Sequence, residues 1–251
     1  MGQRIEITTA DGTAEAYLTE PGAGPGVLLF VDAIGLRTQI EAMADRIASW
    51  GYVVLAPHVF YREGSAAELA PAGDLRDAGA REAFFAGGVM DRVGRLTPDL
   101  SNPDTEAYVD ALLRHATAPI GVTGYCMGAR LALRAAGLRP DVVRAVGGFH
   151  GGRLVTDAPD SPHLSAAGAR AELVFGHADQ DASMPPEQVA ALAAALDEAG
   201  LVHAEAIYPG APHGFTMADT SSYDEAGAER HFTELRGLLD RTLGQVVQTG
   251  A

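Results

Sequence analysis

Residues Gly26–Asp32 read GVLLFVD, an almost unbroken apolar run of strand length. Such a run suits a strand buried on both faces, as in a parallel sheet covered by helices. Comparable runs recur at Tyr52–Ala56, Ile120–Thr123, Val142–Gly147, Glu172–Gly176 and Ala204–Tyr208. Between them, helical spacing is found at Glu41–Trp50, Thr105–His115, Met127–Ala136, Pro186–Ala199 and Glu225–Leu243. At the start, Ile5–Thr8 and Ala14–Thr19 flank Ala10-Asp11-Gly12 and predict a hairpin. This alternation predicts an α/β fold with a mostly parallel central sheet and helices on both faces.

Tyr61–Asp104 breaks the rhythm. It holds no convincing strand and is rich in Ala, Gly and charge, so short helices and loops over the sheet are expected there. Residues 1–251 then form a single domain. The glycines of Pro21–Gly26 precede a strand instead of following one, which favours a turn over a dinucleotide-binding loop. Gln248–Ala251 is expected to be a frayed end.

Charge and cysteine content narrow the partners. Asp and Glu number 33 against 18 Lys and Arg, a net charge of −15. That balance disfavours nucleic acid and anionic membrane surfaces. One cysteine excludes an intrachain disulfide and a multi-cysteine metal site. The N-terminus has no apolar signal core, and Glu6 stands where a myristoylation signal needs Ser or Thr. No apolar stretch is long enough to span a membrane, so a soluble cytoplasmic protein is expected. Oligomeric state is left open.

The chemistry concentrates in IGVTGYCMGAR, Ile120–Arg130. A short apolar strand runs into Gly124-Tyr125-Cys126-Met127-Gly128, and a helix follows at once. This is the G-x-nucleophile-x-G elbow with Cys at its centre. The turn is tight, so the residues two away on either side must be small. It also sets the sulfur at the positive end of the following helix, which favours thiolate. The bland counterpart is a buried cysteine in a Gly-rich turn; the strand before and helix after favour the nucleophile.

A nucleophile in such an elbow needs an acid and then a histidine, in that order. His213, in the loop Tyr208–Phe215 between the last strand and last helix, has the best claim among the eight histidines. His115, His163, His203 and His231 are expected at the surface, while His58 and His150 directly follow strands and are placed to line a pocket. Two aspartates compete as acid, Asp179 and Asp181, both after Glu172–Gly176. One of them is expected to be a loop carboxylate or a helix cap.

On these motifs the chain resembles the dienelactone hydrolase (carboxymethylenebutenolidase-like) family of α/β-hydrolases from about Ile5 to Leu243. The anchors are GYCMG at Cys126, DASMPPE at Asp181 and YPGAPHGF with His213 and Phe215. The resemblance implies the α/β-hydrolase fold. In the family pattern the acid is followed by two residues, an apolar residue and Pro; Asp181-Ala182-Ser183-Met184-Pro185 fits and Asp179 does not. Asp181 is therefore the expected acid and Asp179 the reserve. The family also carries an acidic residue, usually Glu, that touches the resting thiol, and here Asp32 stands in that place. The founding members bind a substrate carboxylate with an Arg shortly after the histidine, where this chain has Met217. Arg62 and Arg81 lie in the region that supplies the family's other arginine.

The resemblance implies a hydrolase of small esters or lactones. Cys126 would attack and form an acyl thioester, with His213 as base and Asp181 as its partner. The backbone N–H groups of Ala33 and Met127 would hold the oxyanion, and Asp32 and His150 would line the substrate pocket. No cofactor or metal is called for, and the pocket is expected to be small. Met217 shifts the expected preference from carboxylate-bearing lactones to neutral ones. The alternative from another class is a non-catalytic hydrolase-fold protein that binds a small molecule or a partner. A redox-responsive thiol is a further alternative, but the chain offers no resolving Cys.

Overall fold

The computed structural model describes residues 2–20 and 24–244. The predicted turn at Pro21–Gly26 falls partly, and the predicted frayed end at Gln248–Ala251 wholly, outside the described residues. Strands β1 (Gln3–Thr9) and β2 (Gly12–Leu18) form the opening hairpin. Then follow β3 (Pro25–Phe30), α1 (Thr38–Ala48) and β4 (Val53–Pro57). The chain continues through α2 (Ala78–Phe84), α3 (Met90–Arg95), α4 (Pro98–Leu113), β5 (Thr117–Tyr125) and α5 (Met127–Leu138). It closes with β6 (Val143–Phe149), β7 (Glu172–Ala178), α6 (Pro186–Glu198), β8 (His203–Tyr208) and α7 (Glu225–Leu243).

The eight strands form one sheet in the order β1-β2-β4-β3-β5-β6-β7-β8. β1 and β2 are antiparallel to each other, β2 is antiparallel to β4, and all the remaining pairs are parallel. The apolar runs lie in the middle of this sheet. Val27–Phe30 on β3 and Val122 on β5 are fully buried, as two-sided cover requires. α1 and α7 share one face: Arg46 stacks on Phe232 at 3.9 Å and Trp50 meets the same ring edge-on at 6.0 Å. α4 and α5 pack together against the central strands, and the 3₁₀ segment Pro162–Gly168 joins α5 to α6.

Tyr61–Asp104 contains no strand, as its composition predicts. It does hold more helix than expected, because α4 starts at Pro98 rather than Thr105. Pro98 is at the first position, where its missing N–H is no loss. Pro103, inside the helix, is what hides this first stretch in the sequence. α2 runs through Phe85–Val89 into α3, and Gly87-Gly88 breaks the helical backbone between them, Gly88 at φ 91°. No helix among the described residues is long and apolar enough to cross a membrane.

Candidate active site

Parallel sheets of this type offer their strand carboxyl ends as a platform for ligands and reacting groups. β5 ends at Tyr125 and α5 begins at Met127, so Cys126 takes the whole change of direction. Its backbone sits at φ 54°, ψ −118°, a conformation costly for any residue with a Cβ. The glycines on either side make the turn possible. A Cβ on Gly124 would lie 2.1 Å from the Gly128 carbonyl oxygen. One on Gly128 would lie 2.5 Å from the carbonyl oxygen of Val31, beyond β3. The packing requirement read from GYCMG is thus met backbone against backbone.

The loops after β7 and β8 bring the expected partners to this point. His213 Nε2 stands 3.0 Å from Cys126 Sγ, and His213 Nδ1 donates to Asp181 Oδ2 at 2.6 Å. Asp181 Oδ1 accepts from the Ser183 amide at 2.8 Å and from its hydroxyl at 2.7 Å. Asp179 is turned away and accepts from the Gly210 amide at 2.8 Å. Burial alone would raise the Asp181 carboxyl. His213 and the two Ser183 donors outweigh it and bring the pKa down to about 2. Burial alone would likewise depress His213, but its bonds to Asp181 and Cys126 and their charges lift it to about 10.

The cavity over Cys126 is small, about 30 Å³, close to the room one water needs. Asp32, Ala33, His150, His213 and Met217 line it, so the expected pocket residues Asp32 and His150 are both on its wall. Asp32, however, makes no hydrogen bond to the thiol. Its carboxylate is taken by Arg37, at 2.8 and 3.1 Å, and by the amides of Ile34 and Gly35. Arg37 also binds Asp219 and approaches Met217 Sδ at 3.4 Å, and these two carboxylates hold its pKa above the usual value despite burial. Met127 opens α5, and the Ala33 carbonyl accepts from Arg92 at 2.9 Å, which ties down the loop after β3.

His150 is fully buried at φ 39°. Its Nε2 shares a hydrogen bond with Thr216 Oγ1 at 2.8 Å, and its ring lies 5.3 Å from that of His213. Burial, then the neighbouring His213 and His231, push its pKa well down, so it stands as a neutral wall. Of the two candidate arginines, Arg62 is held by Asp11 and Asp104 and is not on the cavity, whereas Arg81 is. Arg81 stacks on Phe85 at 5.0 Å, and its buried Nε has no hydrogen-bond partner.

Two histidine expectations need correction. His231 is not at the surface but fully buried between Tyr125, Phe149 and Phe232; the amphipathic pattern of α7 puts position 231 on its inner face. His58 is buried and bonded to the Gly64 carbonyl, away from the cavity. Ser183, Arg37, Arg92 and Thr216 were not singled out from sequence. Only Ser183, two residues after the acid, lies where a local signal could have pointed to it.

Comparison with known proteins agrees with this architecture. The family model described as the dienelactone hydrolase family matches residues 14–243. A protein of Methylorubrum extorquens, provisionally named a carboxymethylenebutenolidase, is 26% identical over 243 residues, covering 92% of this chain and 78% of that protein. Protein usf of Aquifex pyrophilus is 28% identical over 222 residues, covering 86% of this chain and 87% of its own. Among solved structures, a dienelactone hydrolase-like promiscuous phosphotriesterase from metagenomic libraries superposes with a TM-score of 0.76. It is 21% identical, with 97% of this chain and 99% of that one covered. The dienelactone hydrolase of Anabaena variabilis gives 0.61 at 19% identity, over 97% and 98% of the two chains. At these identities the structures speak for the α/β-hydrolase fold, and the family match speaks for descent: the chain belongs to the dienelactone hydrolase family.

Proposed function

We propose that this protein hydrolyses small ester or lactone substrates through a Cys126–His213–Asp181 triad. The observation that supports it most is the unbroken line from Cys126 Sγ through both nitrogens of His213 to Asp181, at 3.0 and 2.6 Å. A binding scaffold has no use for a strained cysteine turn joined to a hydrogen-bonded imidazole and carboxylate.

His213 Nε2 takes the Cys126 proton, and Sγ bonds to the substrate carbonyl carbon. The carbonyl π electrons move onto oxygen, which the backbone N–H groups of Met127 and Ala33 receive. Collapse expels the alkoxide, which recovers the proton from His213. This leaves an acyl thioester on Cys126. Water, giving its proton to His213, then attacks the thioester, and Sγ departs to restore the thiol. Asp181 keeps Nδ1 protonated throughout, so that Nε2 is the nitrogen presented to sulfur. Thiolate leaves readily, so the cycle suits activated esters and lactones and suits amides poorly.

A cavity of about 30 Å³ is too small for such a substrate. α2 buries none of its own residues, and the Gly87-Gly88 break follows it directly. In this reading the segment that carries Arg81 and Phe85 would shift outward to admit substrate. The test is exposure to p-nitrophenyl acetate with mass spectrometry of the intact protein. Expected is burst release of nitrophenolate, an acetyl adduct on Cys126 and slow turnover, all absent in Cys126→Ala. Turnover equal to wild type in Cys126→Ala rejects the nucleophile. No adduct and no turnover in the wild type favours the binding-protein alternative.

A further inference from the structure

A second and much larger cavity, about 320 Å³, lies beside the Cys126 turn, with Met127 in its lining. Its walls are the α3–α4 junction, the first turns of α5 and the segment after β6. That volume is in the range of small-molecule sites, about ten times the space over the thiol.

Its lining is strongly basic. Arg130, Arg134 and Arg153 all line it. In a chain of net charge −15, arginines readily find carboxylates, and Arg37, Arg46, Arg62, Arg95 and Arg139 all do. Among the described residues, none of these three is in an ion pair. Arg130 makes no side-chain hydrogen bond, and its buried Nε is unpartnered. Arg134 donates only to the backbone carbonyl of Asp160. Asp160 is the one acidic residue on the wall, so three positive charges face one negative charge.

The arrangement also works against the fold. Arg130 and Arg134 are four apart on α5, where like charges repel. Arg130 is in the first turn of that helix, the end whose dipole disfavours a cation. Burial depresses Arg130 and the charges of Arg153 and Arg134 add to it, against an opposing pull from Cys126. Arg153 is held at φ 56°, a strained setting for a non-glycine residue, with its amide donated to the Ser183 carbonyl at 2.7 Å. Three like charges lining one cavity repel one another, and an anion among the guanidinium groups would offset that repulsion. Thr97 and Thr156 add hydroxyls to the wall, and Leu131 adds an apolar side.

We infer that this cavity is a binding site for a small organic polyanion, bearing phosphate or carboxylate groups, separate from the cavity over Cys126. Arg130, Arg134 and Arg153 would share its charge, and the apolar wall would take its carbon skeleton.

Isothermal titration of the intact protein with pyrophosphate and with citrate, at fixed ionic strength, tests the site. Expected is saturable 1:1 binding of at least one of them, tighter pyrophosphate indicating a phosphate ligand and tighter citrate a carboxylate ligand. Arg130→Gln should weaken that binding by about 10-fold or more, the scale of a lost charge-assisted hydrogen bond. Arg153→Gln, at an exposed position, provides the same test should Arg130→Gln fail to fold. Cys126→Ala should bind as wild type does, which separates this site from the thiol cavity whether or not the proposed hydrolysis is correct. Absence of saturable binding of both anions, or unchanged affinity in the folded Arg variants, or loss of binding in Cys126→Ala, overturns the inference.

Discussion

Asp181 and Asp179 are two residues apart, yet only Asp181 reaches the imidazole, at 2.6 Å, while Asp179 caps the Gly210 amide at 2.8 Å. The difference comes from the turn after β7, where Gln180 takes a positive φ of 52° and separates the two carboxylates. Ser183 then fixes the second oxygen of Asp181. One carboxylate is bonded to the imidazole and the other to a loop amide.

Asp181→Asn should therefore cost far more activity than Asp179→Asn. A loss of about 10⁴-fold in kcat is the scale for amidation of such an acid. Asp179→Asn keeps an oxygen for the Gly210 amide and should stay within a few-fold of wild type. Steady-state kinetics on one activated ester decides this, and the reverse ranking would transfer the acid role to Asp179.

The same pair sets a pH window for stability. The Asp181 carboxyl falls from 3.8 to about 2 on folding, so its contribution is complete above about 4 and lost as pH falls toward 2. His213 rises from 6.5 to about 10, so its contribution is complete below 6.5 and lost as pH climbs toward 10. The wild type should exceed Asp181→Asn in Tm most between about pH 4 and 6.5, with the gap narrowing on both sides. The carboxyl shift alone corresponds to about 2 kcal/mol near neutrality. Thermal melts across pH 3–9 measure it, and a gap that does not vary with pH contradicts the pair as its source.

Much of this was legible in the sequence for a simple reason: it is local. Buried parallel strands are continuous apolar runs, and GVLLFVD cannot be mistaken for a surface element. The elbow requires small residues at fixed offsets, so Gly124 and Gly128 advertise Cys126. What joins distant segments was not legible. Arg37 meets Asp219 across 182 positions, and Arg92 meets Ala33 across 59, with no periodic signature. Asp32 shows the limit of resemblance. It lines the cavity, but its partner is Arg37 rather than the thiol. The polarity of position 231 likewise concealed a buried ring, because histidine can satisfy a nitrogen on the Tyr125 hydroxyl inside a core.

The Asp32–Arg37–Asp219 network should be structural as well as local to the site. Arg37 and Asp32 expose only 9% and 7% of their side chains. Arg37→Met would leave Asp32 buried without its cation, a change that typically costs about 3–5 kcal/mol. Urea denaturation is the measurement, and a loss below about 1 kcal/mol would mean the network is dispensable. Asp32→Asn,Arg37→Met together should recover part of the loss, since the buried charge is gone.

Arg81 bears on substrate choice. Met217 replaces an arginine expected from the family resemblance, which by itself favours neutral substrates. Yet Arg81 stands on the wall of the Cys126 cavity with its Nε unpaired, and the neighbouring Arg37 is already held by two carboxylates. A substrate carboxylate reaching this cavity would thus find one available guanidinium. A charge-assisted hydrogen bond there is worth about 1.5–3 kcal/mol, or roughly 10- to 150-fold in kcat/KM. Arg81→Gln should lower kcat/KM by that range for a carboxylate-bearing lactone and by no more than about 3-fold for its neutral methyl ester. The four-way comparison of two enzymes and two substrates isolates the charge from any general damage to α2. Equal losses on both substrates would assign Arg81 to packing on Phe85, and the neutral preference expected from Met217 would then stand.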